Sequence, residues 1–254
     1  GIQADIKTFQ ELGVYGMSAV TAVTAQNTKG VQAVYPLSPE AVGKQLDSIA
    51  DDLNPDAVKT GMLFGKETIE EVAGKIRRYG WVNLVVDPVM IAKDGSPLLQ
   101  QEAIRALITH LIPYAALITP NIPEAEALTG MTIRTAGDKR EAAKRLSDMG
   151  ARYVLIKGGH DTDSAWSNDL LFDGESFVEL AGRRIATPHT HGTGCTLSAA
   201  IAAEMAKGKS VPDAVHTAKE FIREAIGNPL AIGSGRGPVN HWAYRRTLSA
   251  TGEV

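Results

Sequence analysis

The alternation of short apolar runs with amphipathic helical stretches constrains this chain more than any other feature. Leu84-Val85-Val86, Ala115 to Ile118 and Tyr153 to Ile156 are apolar or nearly so along their length. Around them lie stretches with helical spacing: Lys66 to Tyr79, about Gln101 to His110, Pro123 to Leu128, Asp138 to Met149 and about Val211 to Ile226. Strands of this kind must be covered on both faces, and strands and helices alternating in series build a parallel sheet. The chain is therefore predicted to be α/β, with a mostly parallel central sheet and helices on both faces. Ile6, Phe9 and Leu12 predict a helix over Gln3 to Leu12, closed by Gly13. Met17 to Ala25, rich in Ala, Val and Thr without helical periodicity, reads as a buried strand ending in Gln26-Asn27-Thr28. Ser38-Pro39-Glu40 is a helix start, with Leu46, Ile49, Ala50 and Leu53 as its core face. Asp56 to Lys59 is a short strand, and Asp173-Gly174-Glu175 joins Leu170–Phe172 and Ser176–Leu180 as a hairpin. Gly233 to Pro238 is a Gly-rich tail, and the final residues are expected to fray.

With no linker and no internal repeat, residues 1–254 read as one domain. A net charge of -3 gives no reason to expect nucleic acid or an anionic membrane as partner. The one cysteine, Cys195, excludes an internal disulfide and a Cys-rich metal site, which fits a cytoplasmic setting. No apolar run approaches the ~20 residues that span a bilayer, and no signal peptide is expected. The opening Gly1-Ile2-Gln3-Ala4-Asp5 reads like the middle of an element, so further residues are expected before it.

Open α/β sheets bind ligands at the carboxyl ends of their strands. Those ends carry Gln26-Asn27, Lys59-Thr60-Gly61-Met62, Asp87-Pro88-Val89-Met90, Thr119-Pro120-Asn121 and Lys157-Gly158-Gly159. The loop Thr190-His191-Gly192-Thr193-Gly194-Cys195 then runs into a helical segment from Thr196 to Lys207. A helix start with two glycines exposes backbone N–H groups to an anion. Each cluster alone has a plainer reading. Asp87-Pro88 breaks a strand, Thr119-Pro120-Asn121 makes a turn and a helix cap, Lys157-Gly158-Gly159 is a solvated loop, and Cys195 is a small buried residue. Together at one sheet edge they supply a lysine, acids, an amide and a phosphate cradle, which are the parts of phosphoryl transfer. His189 and His191 have no third ligand nearby and are read as positioning the loop. Trp81, Trp166 and Trp242 are scattered and form no platform for nucleic acid.

These motifs, taken with Gly1 to Asp5, Thr24 to Thr28, Leu63, His160 and Thr196, resemble the hydroxymethylpyrimidine/phosphomethylpyrimidine kinases. These are the thiamine-pathway members of the ribokinase superfamily, and the resemblance runs from Gly1 to about Tyr244. It implies a ribokinase-like fold, ATP and Mg²⁺. It also implies two successive phosphorylations, of the hydroxymethyl group of 4-amino-5-hydroxymethyl-2-methylpyrimidine and then of the resulting monophosphate. A first strand and a Gly-rich loop are expected ahead of Gly1, and a homodimer is expected from the family's habit.

By resemblance, Gly192, Thr193, Gly194 and the Cys195 backbone form an anion hole. Cys195 stands where many ribokinase relatives carry Asp, and is the candidate base for the substrate hydroxyl. Helix N-termini favour thiolates, but an alcohol is a far weaker acid than a thiol, so positioning carries part of the step. Gln26 matches a position that hydrogen-bonds the pyrimidine, where some members carry Glu. Its amide both donates and accepts, and brings no charge. Met62 and Val89 match apolar contacts to the ring, and Asp5 an acid near the substrate end. Lys157 matches the lysine of the ATP phosphates, with Gly192 and Gly194 beside it. Asn121, Glu124 and Asp87 match the metal-organising positions, Glu124 acting through water. The segment Lys207 to Gly237 is expected over the adenine. A pyridoxal kinase is the alternative enzyme, since it shares the Cys loop and acts on a hydroxymethyl group of a nitrogen heterocycle. Thr24 to Thr28 favour the pyrimidine. A catalytically silent binding protein would tend to lose the phosphate apparatus, which is present here.

Overall fold

A computed structural model describes residues 1–90, 99–159 and 165–251. His160 and the last residues of the tail lie outside the described residues. Near the start, β1 (Ala22–Asn27) and β2 (Gly30–Pro36) pair antiparallel as a small separate sheet. The central sheet takes its strands in sequence order: β3 (Val58–Thr60), β4 (Leu84–Val86), β5 (Leu117–Ile118), β6 (Tyr153–Ile156), β7 (Asp169–Phe172) and β8 (Phe177–Leu180). The first four are parallel, with Val58 beside Leu84, Val86 beside Ile118 and Leu117 beside Tyr153. The last two run antiparallel to their neighbours. Their turn is the one the sequence predicts: the Asp173 carboxylate accepts the N–H groups of Glu175 and Ser176 at 2.8 and 2.6 Å.

The helices are α1 (Ile2–Glu11), α2 (Pro39–Asp52), α3 (Lys66–Tyr79), α4 (Gln101–Ala106), α5 (Ile122–Thr129), α6 (Ala136–Asp148), α7 (Thr193–Ala206), α8 (Val211–Gly227) and α9 (Ala243–Thr251). They cover the sheet on both faces because successive strand residues point opposite ways. Leu84, Val86, Ile118, Val154 and Ile156 share one core with α3, α5 and α6. Val85, Leu117, Leu155 and Leu171 share the other with α7 and α8. Helix α3 shows how the sequence specifies this. Ile69, Val72, Ala73 and Ile76 recur at helical spacing and are buried, and Gly80 ends the helix at φ +66°. Ile69, Val72 and Ile76 each stabilise by roughly 1.5–3 kcal/mol on burial.

Helix α7 is the central one. Every residue from Thr196 to Met205 is buried, so it is apolar nearly all round rather than amphipathic. Its small side chains let α1 and α8 pack closely against it. Glu204 is the exception, a buried carboxylate paired with Lys207 and with Lys209 at 2.6 Å. This packing carries the N-terminus of α7 to the carboxyl ends of β3 and β4.

Two readings of the sequence need correction. Met17 to Ala25 is not a buried strand of the main sheet. The strand runs Ala22–Asn27, lies mostly exposed in the hairpin, and pairs only with β2. Its β-branched residues favour extension, but Val23 and its partner Tyr35 are 55% and 63% exposed. Gln26 and Asn27 therefore do not stand at the sheet edge with the other clusters. The helix predicted over Gln101 to His110 loosens into a π-helical turn at Leu107–Leu111. Beyond the Gly-rich segment the chain forms α9, and the final residues, expected to fray, lie outside the described residues.

Candidate active site

The site is built around the start of α7. Gly192 adopts φ +85°, a left-handed conformation suited to glycine, and Thr193 opens the helix. The Thr193 hydroxyl donates to the Thr190 carbonyl at 2.7 Å, which closes the turn without capping the helix. No side chain caps this end, so the first-turn N–H groups are available to an anion. Cys195 is half-buried in that turn.

The loop is pinned from behind by the Gly-rich tail, which acts as a strap. His191 N–H donates to the Gly237 carbonyl at 3.0 Å, and Val239 N–H donates to the His191 carbonyl at 3.1 Å. A Cβ on Gly237 would lie 2.4 Å from His189 Nδ1 and 3.0 Å from the Ile232 carbonyl, so glycine is required by close approach. One residue further into α7, the Thr196 hydroxyl lies 3.0 Å from His241 Nε2, both residues buried. The other end of the strap holds the hairpin tip. Arg236 N–H donates to the Thr28 carbonyl at 2.9 Å, and Gly235 N–H to the Thr28 hydroxyl at 3.2 Å.

His241 carries a pH signature. Burial, then the nearby Lys7 ammonium, push its pKa down to about 4 from 6.5. An unfolded chain takes up this proton near pH 6.5 while the folded chain waits until about 4. Stability is therefore complete above 6.5 and falls as pH drops between the two values, by roughly 2–3 kcal/mol for this group. Urea melts at pH 7 and pH 5 should show His241→Asn losing less stability than wild type on acidification. An equal loss in both would assign the acid sensitivity elsewhere.

The charged wall comes from the ends of β4, β5 and β6. Asp87 accepts from Lys157 Nζ at 3.0 Å, Thr119 Oγ1 at 3.1 Å and Ser198 Oγ at 3.2 Å. Burial opposes its charge, but the Lys157 and Lys59 ammonium groups and these donors hold its pKa below the usual carboxylate value. Lys157 is also 4.0 Å from Glu124. Burial would discharge it, but Asp87 and Glu124 hold its pKa above the ordinary lysine value. Glu124 is pushed up to about 7, by burial first and by Asp87 in addition, against the pull of Lys157.

Asn121 and Glu124 form a capping box on α5. The Asn121 side chain accepts Glu124 N–H, and the Glu124 carboxylate accepts Asn121 N–H, each at 2.8 Å. The Asn-x-x-Glu pattern is thus a helix start that also brings both side chains to the site. Lys157 is set beside it because its N–H donates to the Pro120 carbonyl at 2.9 Å. The next residue is fixed more tightly: Gly158 N–H donates to Asp169 at 2.8 Å, and Lys219 holds the same carboxylate at 2.7 Å. A Cβ on Gly158 would fall 2.1 Å from the Asn168 carbonyl.

On the other side, Lys59 Nζ donates to both oxygens of Asp5 at 2.9 Å. The Met62 carbonyl accepts from Thr21 Oγ1 at 2.7 Å, which ties the β3 end to the chain entering the hairpin. Gln26 sits where a bulge shifts the β1–β2 register, a device that re-aims a side chain.

Cys195, Gly192, Thr193, Gly194, Lys157, Asp87, Asn121, Glu124, Asp5, Met62, Val89 and Gln26 all line one open cavity of about 2380 Å³. That is room for two small molecules, since a single ligand pocket is commonly ~300–1,000 Å³. Gln26 reaches it from the hairpin and the others from the sheet and helices. Sequence reasoning gave no role to Lys59, Asp169 or His241. Lys59 was read only as part of a strand-end cluster, and the partners of all three lie far along the chain. Among the described residues, no group of three or more His, Cys, Asp or Glu is placed to hold a metal, and no helix is long and apolar enough to cross a membrane. An uncapped helix start, a buried lysine and carboxylates around a two-ligand cavity are suited to phosphoryl transfer.

Comparison with known proteins agrees with that chemistry. Residues 1–240 match the model of the phosphomethylpyrimidine kinase family. A hydroxymethylpyrimidine/phosphomethylpyrimidine kinase of Bacillus subtilis is 56% identical over 246 residues, covering 97% of this chain and 91% of its own. Among solved structures, an ADP complex of Bacillus subtilis pyridoxal kinase superposes with TM-score 0.90 at 43% identity, covering 96% of this chain and 93% of its own. A phosphomethylpyrimidine kinase from Clostridium difficile superposes with TM-score 0.79, also at 43% identity, covering 89% of this chain and 93% of its own.

Proposed function

The chain belongs to the phosphomethylpyrimidine kinase family, and from that premise we propose a two-step reaction at the cavity beneath the hairpin. The enzyme transfers the γ-phosphoryl group of ATP to the hydroxymethyl oxygen of 4-amino-5-hydroxymethyl-2-methylpyrimidine. It then transfers a second one to the phosphate of the product, which serves thiamine biosynthesis. The observation that carries this reading is the convergence on one cavity of an uncapped α7 start, Lys157 and the hairpin residue Gln26.

In the first step the acceptor oxygen bonds to the γ-phosphorus, the bond to the β-phosphate oxygen breaks, and the hydroxyl proton leaves. Cys195 Sγ takes that proton. The N–H groups at Gly194 and Cys195 meet the charge on the transferring group, and Lys157 neutralises the nucleotide phosphates. Gln26 pairs with the aminopyrimidine edge, while Met62 and Val89 pack against the ring. Asp87, Asn121 and Glu124 fit Mg²⁺ held largely through water and nucleotide phosphates. Lacking a cluster of ligands, they suit an ion that keeps its hydration shell and do not form a cage. The ion would supply charge neutralisation on the phosphates. In this reading residues 1–254 act as one ribokinase-like domain of a cytoplasmic homodimer.

The likeness to solved pyridoxal kinases supports a second reading, phosphorylation of pyridoxal at the same hydroxymethyl position. Incubation with ATP and the pyrimidine alcohol, followed by anion exchange, tests the first. The monophosphate should appear first and the diphosphate after it. Consumption of ATP without either product would contradict the reading.

A further inference from the structure

Lys59 has no part in the roles above, yet it is among the residues that line the same cavity. It sits at the carboxyl end of β3 with its side chain 3% exposed and is held by both oxygens of Asp5. A Cβ on Gly61 would lie 3.3 Å from Lys59 Nζ, so the glycine leaves space beside the charge. The sheet order places Lys59 on the other side of Asp87 from Lys157. Their strands are three apart, ~14 Å at the usual spacing. Lys157 lies against the first turn of α7, where a Cβ on Gly194 would be 3.4 Å from its Nζ. Burial opposes the charge on Lys59, but Cys195, Asp5 and Asp87 raise its pKa, so it stays an ammonium.

Lys59 and Lys157 are thus two buried cations on the strands to either side of Asp87. Lys157 stands with Gly158 and Asp169, on the side assigned to the nucleotide. Lys59 stands with Asp5 and Met62, on the side assigned to the acceptor. An alcohol acceptor brings no charge to that side. A monophosphate acceptor brings nearly two negative charges toward a triphosphate, and that approach needs a cation at the acceptor end as well.

We infer that Lys59 binds the phosphate of the monophosphate acceptor, and thereby allows one site to phosphorylate an alcohol and then a phosphate. Asp5 holds the ammonium in place while the alcohol is bound and shares it with the phosphate afterwards. The inference rests on the two-step reading given above.

The test compares kcat/KM for the pyrimidine alcohol and for its monophosphate, each supplied as the starting acceptor with MgATP. Lys59→Met should lower the monophosphate-to-alcohol ratio by about tenfold or more, the scale of a lost charge-assisted contact. Lys59→Met combined with Asp5→Asn, which leaves no lone buried carboxylate, should lower the ratio similarly. Calorimetry without nucleotide should show weakened binding of the monophosphate relative to the alcohol. An unchanged ratio in either folded variant overturns the inference while leaving the two-step reading intact. An equal loss on both acceptors does the same and marks the pair as structural. A wild-type protein that phosphorylates neither acceptor overturns the two-step reading, and the inference with it.

Discussion

Lys157→Ala should lower kcat/KM for ATP by about 10²–10³-fold, the usual scale for removing one preorganised group from a charge-stabilising site. The lysine is buried against Asp87 at 3.0 Å and Glu124 at 4.0 Å, and borders Gly194 at the α7 start. Its removal takes away the cation proposed for the nucleotide phosphates and breaks the 3.0 Å ion pair with Asp87. Breaking a buried pair from one side commonly costs ~3–5 kcal/mol of stability. The remaining donors to Asp87, Thr119 and Ser198, reduce that cost here. Pyrimidine affinity separates the two effects, because Gln26 lies on β1 and Met62 follows β3, whereas this pair stands at the ends of β4 and β6. Calorimetry should show the alcohol binding with little change while ATP use collapses. Parallel loss of both would assign Lys157 to folding.

Cys195→Ala should act on the first phosphorylation far more than on the second. A positioned base contributes ~10²–10⁴-fold to a step that moves a proton. The alcohol must lose its proton, whereas a phosphate monoester is largely ionised at neutral pH, its second pKa being ≈ 6. The backbone N–H groups of the turn survive the substitution and continue to meet the transferring group. Turnover of the alcohol should fall by about 10² or more, turnover of the monophosphate much less, and ATP affinity little. This pattern is the reverse of that expected for Lys59→Met, so the two variants together separate proton removal from acceptor-phosphate binding. A nearly unchanged alcohol rate would move the step to the helix start and Lys157.

The sheet and its covering helices were legible in the sequence because their signals are local. Leu84-Val85-Val86 is buried whichever way each residue points, and the period of Ile69, Val72 and Ile76 admits one face. The hairpin was missed for a physical reason. Val23 and Tyr35 pack little, so nothing in their pattern records a core. Lys157, Asp87 and Asn121 were visible as strand-end residues, but the capping box shows that Asn-x-x-Glu has a structural task as well. Lys59 was visible only as a strand-end residue and His241 not at all, since their meaning lies in contacts 54 and 45 residues away along the chain. The Gly-rich strap read as a loose tail. Its glycines are required by close approach to Thr28 and His189, contacts that no local pattern announces.

The choice of acceptor tests the account most directly. Steady-state kcat/KM measured with MgATP for 4-amino-5-hydroxymethyl-2-methylpyrimidine and for pyridoxal compares the two enzymes this scaffold resembles. Gln26, offering both a donor and an acceptor to an aminopyrimidine edge, predicts a preference for the pyrimidine of about tenfold or more. A preference of that size for pyridoxal would contradict the account.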